Sequence, residues 1–438
     1  MLAQNKLMLG QTLPPLTVET LVNGGAGLAR YEGRVVFIPH TCVGDVVKCR
    51  ITKNKKKFLE AKVCEIVRPA SARRQPFCSV AGDCGGCQWQ HLPYSEQLYW
   101  KEKLFRDSLM HQCAVDSDKI LPIIPTSNEW GYRSRVQIKC HNTATGFTTG
   151  FYRPKSHQIV SIQECPIIAS ELNILLNQLR CAITSTSFAD DIPQIDLNVD
   201  DYNCCSAVIH YFGYDIAALS IMLKRENFSA ALFIKSPSEK KILNLSGNST
   251  LQIVVDQPPI SLKYTVGSFA QINLEQNRVM VDKVLELAEL DGSEKVLDLF
   301  CGMGNFSLPL SRRAKYVVGF EESAASINTA RINGRLNGIE NVEFYHQSAE
   351  GALDCCKSNK QPDLVVLDPP RSGAFATMKE LVASPVKQVI YVSCDPQTLA
   401  RDLKYLVNNG YELISSTPID MFPQTYHCES MTLLRYPC

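Results

Sequence analysis

The sequence predicts an α/β protein in which two β-rich regions precede a parallel sheet. Three observations predict this class. Residues 14–70 consist of short apolar runs separated by glycines, which is typical of short strands. Residues 130–265 alternate apolar and polar side chains, which indicates a second sheet-rich region. Beyond Gly267, buried strands alternate with helical stretches, as in a parallel sheet with crossover helices.

The composition is that of packed globular domains. The 438 residues are 45% hydrophobic and 20% charged, and this length corresponds to roughly three domains. The net charge of +1 hides two basic runs, CRITKNKKKF and RPASARRQP. Such runs either bind a polyanion or form solvated loops, and the charge alone leaves both possibilities open.

The N-terminus and the hydropathy together indicate a cytosolic protein. The opening MLAQNKLMLGQTL has no charged segment followed by an apolar run of signal-peptide type. No later stretch is apolar for long enough to span a membrane. Because cytosolic thiols stay reduced, a close group of cysteines indicates a metal site or catalysis rather than a disulfide framework.

The patterns divide the chain into three predicted domains. Residues 10–70, with five short strands and basic loops, are expected to form an OB-like barrel, a common nucleic-acid platform. Residues 75–265 form a sheet-rich central domain that begins with a cysteine loop and a helical stretch. Residues 266–438 form the domain with the parallel sheet, whose ligands are expected at the carboxyl ends of the strands.

The loop FCSVAGDCGGCQWQ contains Cys78, Cys84 and Cys87 with five and two intervening residues. A fourth ligand is available in Cys165, which stands directly before a proline, as in one type of iron–sulfur run. Four thiolates could also hold zinc, although structural zinc sites usually show two close pairs of ligands. The spacing predicts a metal site and leaves the identity of the metal open. The alternative is a reduced cysteine-rich loop without a metal. Trp89 and Trp100 nearby could stack on bases or pack in a core.

A cofactor site is predicted where the first strand of the last domain ends. VLDLFCGMGNFSLPL is a buried strand followed by a turn with Gly302 and Gly304, without the G-x-G-x-x-G spacing of a dinucleotide site. About 20 residues later, Glu321 ends the next strand, where a carboxylate can bind ribose hydroxyls. The pair resembles the first two motifs of class I methyltransferases that use S-adenosylmethionine.

Three further residues are predicted at the same edge of the sheet. Asp368 ends a third strand in LDPPRSG, and Cys394 ends a fourth in YVSCDP, where a thiol can be exposed as a nucleophile. Glu429, close to His427 and just before the last strand, is a candidate base. The alternatives are a plain buried cysteine and a surface carboxylate.

Five separated segments, FAQIN, LDLFCGMGNFSLPL, LDPPRSG, SCDPQTLARDL and MFPQTYHCESM, together resemble the RNA 5-methyluridine methyltransferase family. They are most similar to its iron–sulfur-containing branch that modifies 23S ribosomal RNA. The resemblance runs nearly end to end. It implies an N-terminal TRAM barrel, a central domain with a [4Fe-4S] cluster and a C-terminal Rossmann-like class I methyltransferase domain. It also implies that residues 94–120 pack on the catalytic domain.

The resemblance assigns roles residue by residue. It implies Cys394 as the nucleophile and Glu429 as the base. The implied cluster ligands are Cys78, Cys84, Cys87 and Cys165. The residues implied to line the S-adenosylmethionine site are Gln271, Phe300, Asn305, Glu321, Ser348 and Asp368. Two positions depart from the family: Ser348 stands where asparagine is frequent, and Asp395 replaces the usual asparagine of SCNP. A carboxylate at Asp395 is expected to raise the pKa of the neighbouring thiol unless a cation offsets it.

The implied reaction explains the combination of a thiol and a carboxylate. Carbon 5 of uracil is a weak nucleophile, so a thiolate first adds at carbon 6, carbon 5 then takes the methyl group, and a base removes the carbon 5 proton. We expect an unpaired ribosomal RNA loop as substrate, because the base must leave its stack, and a monomeric enzyme. The alternatives are methylation of tRNA and a noncatalytic iron–sulfur protein that binds RNA.

Overall fold

A computed structural model describes residues 7–113, 115–144, 146–237, 242–355 and 361–437. The chain forms two compact units. Unit 1 comprises the chain up to Leu104 together with Tyr152–Val160 and Phe422–His427. Unit 2 comprises Phe105–Phe151, Ser161–Met421 and the chain from Cys428 onward. No helix among the described residues is both long and apolar enough to cross a membrane.

Unit 1 contains a small six-stranded sheet in the order β1-β5-β6-β4-β3-β2. Only β4 and β6 pair in parallel. The run LTVETLV, predicted as one strand, is two short strands, because β1 pairs with β5 while β2 pairs with β3. The strands are β1 (Leu16–Thr17), β2 (Thr20–Leu21), β3 (Gly27–Tyr31), β4 (Arg34–Ile38), β5 (Val46–Asn54) and β6 (Phe58–Arg68).

A buried ion pair links the loop before β5 to the chain that follows β6. Asp45 has a fully buried side chain that accepts a hydrogen bond from Arg73 at 2.7 Å. It also accepts from the backbone amides of Cys42 at 2.7 Å and Ala70 at 2.8 Å. Burial alone raises the pKa of Asp45, but these donors outweigh it and hold the pKa below its ordinary value.

We expect Asp45→Asn to lower the free energy of unfolding by about 3 kcal/mol at pH 7, because it leaves a buried cation without its anion. The depressed pKa means that the contribution is present at neutral pH and is lost as pH falls through the folded-state pKa of Asp45. The difference between variant and wild type should therefore shrink in acid. Urea unfolding at several pH values measures it, and Glu19→Gln in the exposed pair with Arg30 is the control, expected within about 1 kcal/mol. Equal effects of both variants would contradict the assignment.

The two tryptophans of unit 1 are buried rather than exposed. Trp89 is 0% exposed and Trp100 is 7% exposed, and both pack with Leu21, Cys42 and Leu92 in one apolar cluster. The Trp89 indole also donates to the carbonyl of Gly25 at 2.9 Å. Base stacking by either ring is therefore ruled out in this conformation.

The first part of unit 2 is sheet-rich. Its main sheet includes the strand order β13-β12-β11-β10-β7-β8, in which only β11 and β12 pair in parallel. A separate hairpin pairs β14 with β15. The elements are β7 (Arg135–Thr143), β8 (Gly146–Tyr152), α2 (Ser170–Ile183), β10 (Gln194–Val199), β11 (Cys205–His210), α3 (Ile216–Arg225), β12 (Ala230–Lys235), β13 (Leu243–Ser246), β14 (Thr250–Val255) and β15 (Ile260–Thr265). The short strand β9 (Ile159–Ser161) lies where the chain passes from unit 1 to unit 2.

The second part of unit 2 is a seven-stranded sheet in the order β18-β17-β16-β19-β20-β22-β21. The first five strands are parallel, as the sequence predicts, and β22 is antiparallel to both of its neighbours. The elements are α4 (Leu274–Ala288), β16 (Lys295–Leu299), α5 (Ser307–Ser311), β17 (Tyr316–Glu321), α6 (Ala324–Leu336), β18 (Val342–His346), α7 (Ala352–Cys355), β19 (Leu364–Leu367), α8 (Phe375–Ala383), β20 (Gln388–Ser393), α9 (Pro396–Asn408), β21 (Glu412–Ile419) and β22 (Glu429–Arg435).

The helix that follows the cysteine loop, α1 (Tyr94–Cys113), contributes its second half to this domain. Phe105, Leu109 and Cys113 are buried in the same apolar core as β16, β19 and β20. The Cys113 thiol donates to the carbonyl of Ala400 at 2.9 Å. The second half of α1 thus packs on the parallel sheet. The division of the chain into three domains remains a prediction.

Candidate active site

The register of the parallel strands places the predicted residues at one edge of the sheet. Leu299 of β16 pairs with Phe320 of β17 and with Leu367 of β19. The next residues along each strand are Phe300, Glu321 and Asp368. Because parallel strands end at the same edge, these three predicted residues are brought to one crevice.

The turn after β16 is held in an unusual conformation. Phe300 has a φ of 64°, which is uncommon for a residue with a side chain and is often found at functional sites. Gly302 has a φ of 55°, and a Cβ placed there would meet no atom within 4 Å, so the space beside the turn is open. The Gly302 amide donates to Glu321 at 3.3 Å, and Ser323 donates to the other Glu321 oxygen at 2.8 Å. The carboxylate that we expect to bind ribose is thus fixed beside an open backbone turn.

Asp298, inside β16, is a buried acid that the sequence analysis did not select. Ser307 donates a short hydrogen bond to one of its oxygens. The other oxygen has no hydrogen-bond partner within the described chain. Burial raises the pKa of Asp298 to about 7, and the charges of Asp368 and Glu321 act in the same direction. The available signal was its position as an acidic residue within the apolar run VLDL.

The remaining predicted cofactor residues lie in different surroundings. Asn305 exchanges two 2.9 Å hydrogen bonds with the side chain of Asn277, so its amide is held by a second buried amide. Gln271 is half-buried in the chain that leads to α4. Ser348 follows β18 and donates to the carbonyl of Glu350 at 3.2 Å. Their contact with a cofactor remains a prediction.

The pairing of β20 with β22 brings the predicted nucleophile and base together. Ser393 pairs with Ser430 across this antiparallel ladder. Cys394 follows Ser393, and Glu429 precedes Ser430. The two residues therefore face each other at the end of the ladder, although 34 positions of the chain separate them. Glu429 is 8% exposed, which rules out the alternative of a surface carboxylate.

The electrostatics of this group favour protonated side chains. Burial raises the pKa of Glu429 to about 8, with a contribution from Asp368. Burial raises the pKa of Asp368 to about 7. Burial also raises the pKa of the Cys394 thiol to about 12, with contributions from the Glu429 and Asp368 charges, while Arg371 lowers it. The two acids can therefore gain or lose a proton near neutral pH, whereas the thiol stays protonated until a base or a cation assists it.

Asp395 has a structural role that the sequence analysis did not foresee. Its Oδ1 accepts from the amides of Gln397 at 2.9 Å and Thr398 at 3.0 Å, which makes it the N-cap of α9. Asparagine caps helices equally well, so the departure from the family preserves this function. The charges that raise the pKa of the thiol come from Glu429 and Asp368.

We expect Asp395→Asn to keep the free energy of unfolding within about 0.5 kcal/mol of the wild type, and Asp395→Ala to lower it by about 1 kcal/mol. The reason is that asparagine retains the acceptor oxygen and alanine does not. Urea unfolding of the two variants in parallel measures the difference. If asparagine costs as much as alanine, the charge of Asp395 rather than its cap is what the fold requires.

The cysteine loop is a series of tight turns in unit 1. Cys78, Cys84 and Cys87 are half-buried. Burial raises the pKa of the Cys84 thiol, and the Gly86 amide, which donates to its sulfur at 3.4 Å, partly offsets this. The Gly85 amide donates to the carbonyl of Tyr152 at 3.0 Å. The loop therefore has thiols of the type that iron–sulfur clusters and zinc use.

The described residues contain no group of three or more histidine, cysteine or acidic side chains arranged to hold a metal ion. Cys165, the predicted fourth ligand, is a buried cysteine in unit 2. Its amide donates to Asn173 at 2.8 Å. The chemistry of the donors is suitable for a cluster, and no step of the reaction is assigned to it.

Comparison with known proteins identifies the family. The model of the tRNA (Uracil-5-)-methyltransferase family matches residues 93–436, and the model of the TRAM domain matches residues 6–64. The chain belongs to the RNA uracil-5 methyltransferase family. The match covers most of the chain and includes the crevice with Cys394 and Glu429. It confirms the family resemblance and the TRAM domain predicted from the sequence.

Several relatives of this methyltransferase are similar over nearly their whole length. The 23S rRNA (uracil(1939)-C(5))-methyltransferase RlmD of Vibrio parahaemolyticus is 32% identical over 437 residues, covering 98% of each chain. The protein of the same name from Aeromonas hydrophila is 34% identical over 423 residues, covering 95% of each. The tRNA (uracil-54, C5)-methyltransferase of Pyrococcus abyssi, solved with S-adenosyl-L-homocysteine, matches with a TM-score of 0.75 at 23% identity, covering 96% of this chain and 99% of that one. This structural likeness establishes the fold.

Proposed function

We propose that the enzyme transfers a methyl group from S-adenosylmethionine to carbon 5 of a uridine in 23S ribosomal RNA. The observation that carries the proposal is the register of β20 and β22, which sets Cys394 beside Glu429. A thiol opposite a buried acid is the pair that this reaction needs, because one group adds to the base and the other removes a proton.

The first step is addition of the Cys394 sulfur to carbon 6 of uracil. The thiol must lose its proton, and Asp368 in the same crevice is the proposed acceptor, which leaves Glu429 unprotonated for the last step. Arg371 and the N-terminus of α9, which begins two residues after Cys394, both favour the thiolate. The sulfur–carbon bond forms while the electron pair of the carbon 5–carbon 6 double bond moves toward the carbonyl at carbon 4, which makes carbon 5 nucleophilic.

S-adenosylmethionine, when bound, supplies an electrophilic methyl group and leaves as S-adenosylhomocysteine. Gly302 and Glu321 are proposed to hold it, because the open turn admits a ligand and the carboxylate is fixed beside it. The other residues proposed here, from the family match, are Gln271, Phe300, Asn305, Ser348 and Asp368. Carbon 5 then carries both a methyl group and a proton.

The last step is removal of the carbon 5 proton by Glu429. The electrons of the carbon–hydrogen bond re-form the double bond and expel the Cys394 sulfur from carbon 6. A pKa of about 8 for Glu429 suits this role, because the group can be unprotonated when it acts and can hold the proton afterwards. We expect the release of product to rise with pH up to about 8.

Ribosomal RNA is the favoured substrate because the relatives named above act on 23S rRNA at uracil 1939 and match over nearly their whole length. Methylation of tRNA is the second candidate, since the Pyrococcus abyssi protein with the same fold acts on tRNA. We further propose a cytoplasmic location and a monomeric enzyme, as expected from the sequence.

The test incubates anaerobically purified protein with unmodified 23S rRNA or unmodified tRNA and methyl-labelled S-adenosylmethionine. Nuclease digestion and mass spectrometry then locate the label. Label on carbon 5 of one ribosomal uridine supports the proposal. Label on tRNA alone supports the second candidate, and tight RNA binding without transfer to any uridine supports a noncatalytic protein.

We also propose that Cys78, Cys84, Cys87 and Cys165 hold a [4Fe-4S] cluster. The spacing of the first three cysteines and the hydrogen bond from the Gly86 amide to the Cys84 sulfur support the cluster. Iron and acid-labile sulfide are measured after anaerobic purification, together with the absorption spectrum. About four irons and four sulfides per chain, lost in Cys84→Ala and retained in Cys181→Ala at an exposed thiol, support the cluster. Zinc, or no metal, would overturn it.

A further inference from the structure

The loop that leads into the catalytic base belongs to the other compact unit. The chain leaves unit 2 after Met421, contributes Phe422–His427 to unit 1, and returns to unit 2 at Cys428. Glu429 is then the first residue of β22. The backbone that carries the proposed base therefore starts, two residues earlier, inside the fold that contains the cysteine loop.

Gln424 is the centre of the contacts that hold this loop. Its backbone carbonyl accepts from the amide of Gln88 at 3.0 Å and from that of Trp89 at 2.9 Å. Its own amide donates to the side chain of Gln97 at 2.8 Å. Its side-chain oxygen accepts from Gln97 and from Arg74, each at 3.0 Å. Gln88 and Trp89 directly follow Cys87.

The same residue is fully buried and conformationally unusual. Gln424 is 0% exposed and has a φ of 69°, in the left-handed region that side chains rarely adopt. Such a conformation persists only where neighbouring contacts impose it. The hydrogen bonds of Gln97, Arg74 and the two loop amides supply that constraint.

Two further contacts hold the segment Phe422–His427 in place. Lys101, on the same helix as Gln97 and 1% exposed, donates to the carbonyl of Phe422 at 3.0 Å. Tyr426 packs against the apolar cluster that contains Trp89. A Cβ on Gly25 would lie 2.8 Å from the Tyr426 ring, so the ring occupies a close-fitting position.

We propose that Gln424 is a positioning residue for the base, and that the cysteine loop acts on catalysis by fixing the backbone that carries Glu429. This inference rests on the proposed function and deepens it. It assigns to the loop a task that needs no electron transfer. The affected step is the removal of the carbon 5 proton, because addition of sulfur and transfer of the methyl group use groups on other strands.

The amount of covalent complex between the protein and methylated RNA distinguishes a positioning role from a structural one. This complex can be measured on a denaturing gel, because its carbon–sulfur bond is covalent. A misplaced base slows its breakdown more than its formation, so the complex accumulates. A variant that has merely lost its fold or its affinity for RNA forms less complex and less product. The accumulation of the complex therefore separates a positioning role from a structural one.

The experiment compares Gln424→Ala with the wild type, using unmodified 23S rRNA and methyl-labelled S-adenosylmethionine. We expect release of methylated RNA to fall between about 10- and 100-fold, with a larger fraction of protein in the covalent complex. Gln424→Glu keeps the oxygen that accepts from Gln97 and Arg74 and should restore turnover. Gln252→Ala, on β14, is the matched control and should be unaffected.

Loss of product without accumulation of the complex, or unchanged turnover of Gln424→Ala, would overturn the inference. If Gln424→Ala does not fold, Gln97→Glu serves instead, since it keeps the acceptor for the Gln424 amide and loses the donor to its side chain. Glu429→Gln is measured alongside. If that variant accumulates no complex, the proposed function fails; if it does and the Gln424 and Gln97 variants do not, only the positioning role fails.

Discussion

Cys394→Ala is expected to abolish methyl transfer, with a loss of at least about 10³-fold, and to form no covalent complex with RNA. Carbon 5 becomes a nucleophile only after sulfur has added to carbon 6, and the thiol of Cys301, in the turn after β16 at the same edge, is only 4% exposed. The measurement is the initial rate of label transfer to unmodified 23S rRNA, with the denaturing gel for the complex.

Cys181→Ala removes an exposed thiol on α2 and serves as the control, with an expected rate equal to that of the wild type. Cys394→Ser retains an oxygen at the same place but a far weaker nucleophile, so it should be nearly as inactive as the alanine variant. Residual turnover of Cys394→Ala above one tenth of the wild type would show that another residue attacks the base.

Glu429→Gln is expected to transfer one methyl group per enzyme and then to stop, with the RNA still attached to Cys394. The amide cannot take the carbon 5 proton, so the steady-state rate should fall by about 10²- to 10⁴-fold. Removing the carboxyl also removes one charge that raises the pKa of the thiol, so formation of the complex should not be slower than in the wild type. Quenched-flow sampling separates the first turnover from the later ones.

The pH dependence of the wild-type enzyme also tests the role of Glu429 as the base. Because burial raises the pKa of Glu429 to about 8, the release of methylated RNA should increase from pH 6 to about 8. The variant should lack this dependence. Glu286→Gln, at an exposed position of α4, is the control and should follow the wild type. If Glu429→Gln transfers no methyl group even in its first turnover, the assignment of Glu429 as the base is wrong.

The sequence predicted the parallel sheet of the last domain with good fidelity. Each strand there is a short buried run that ends in a distinctive turn, and hydrophobic pattern and turn chemistry are both local properties. The N-terminal run LTVETLV was less well predicted, because its division into β1 and β2 depends on pairing with two different strands. Pairing is a long-range property that a local pattern does not contain.

The candidate site shows the same difference between local features, which the sequence contains, and long-range ones, which it does not. Cys394, Asp368 and Glu321 were selected because each ends a strand of a recognisable type, and family motifs supported the choice of Glu429; their roles remain predictions. Asp298, Arg371 and Gln424 were missed. Their importance comes from burial, from a neighbouring charge and from a left-handed backbone held by distant residues, none of which has a signature in the sequence.

By itself, the sequence determined the family, the N-terminal TRAM domain and the parallel strands of the last sheet. Only the tertiary structure decided that Cys394 and Glu429 face each other, that Asp395 caps a helix and that Phe422–His427 belongs to unit 1. The reason is that side-chain type and local periodicity are fixed by the chain itself. Register, burial and the pKa values that follow from burial exist only after distant segments have packed together.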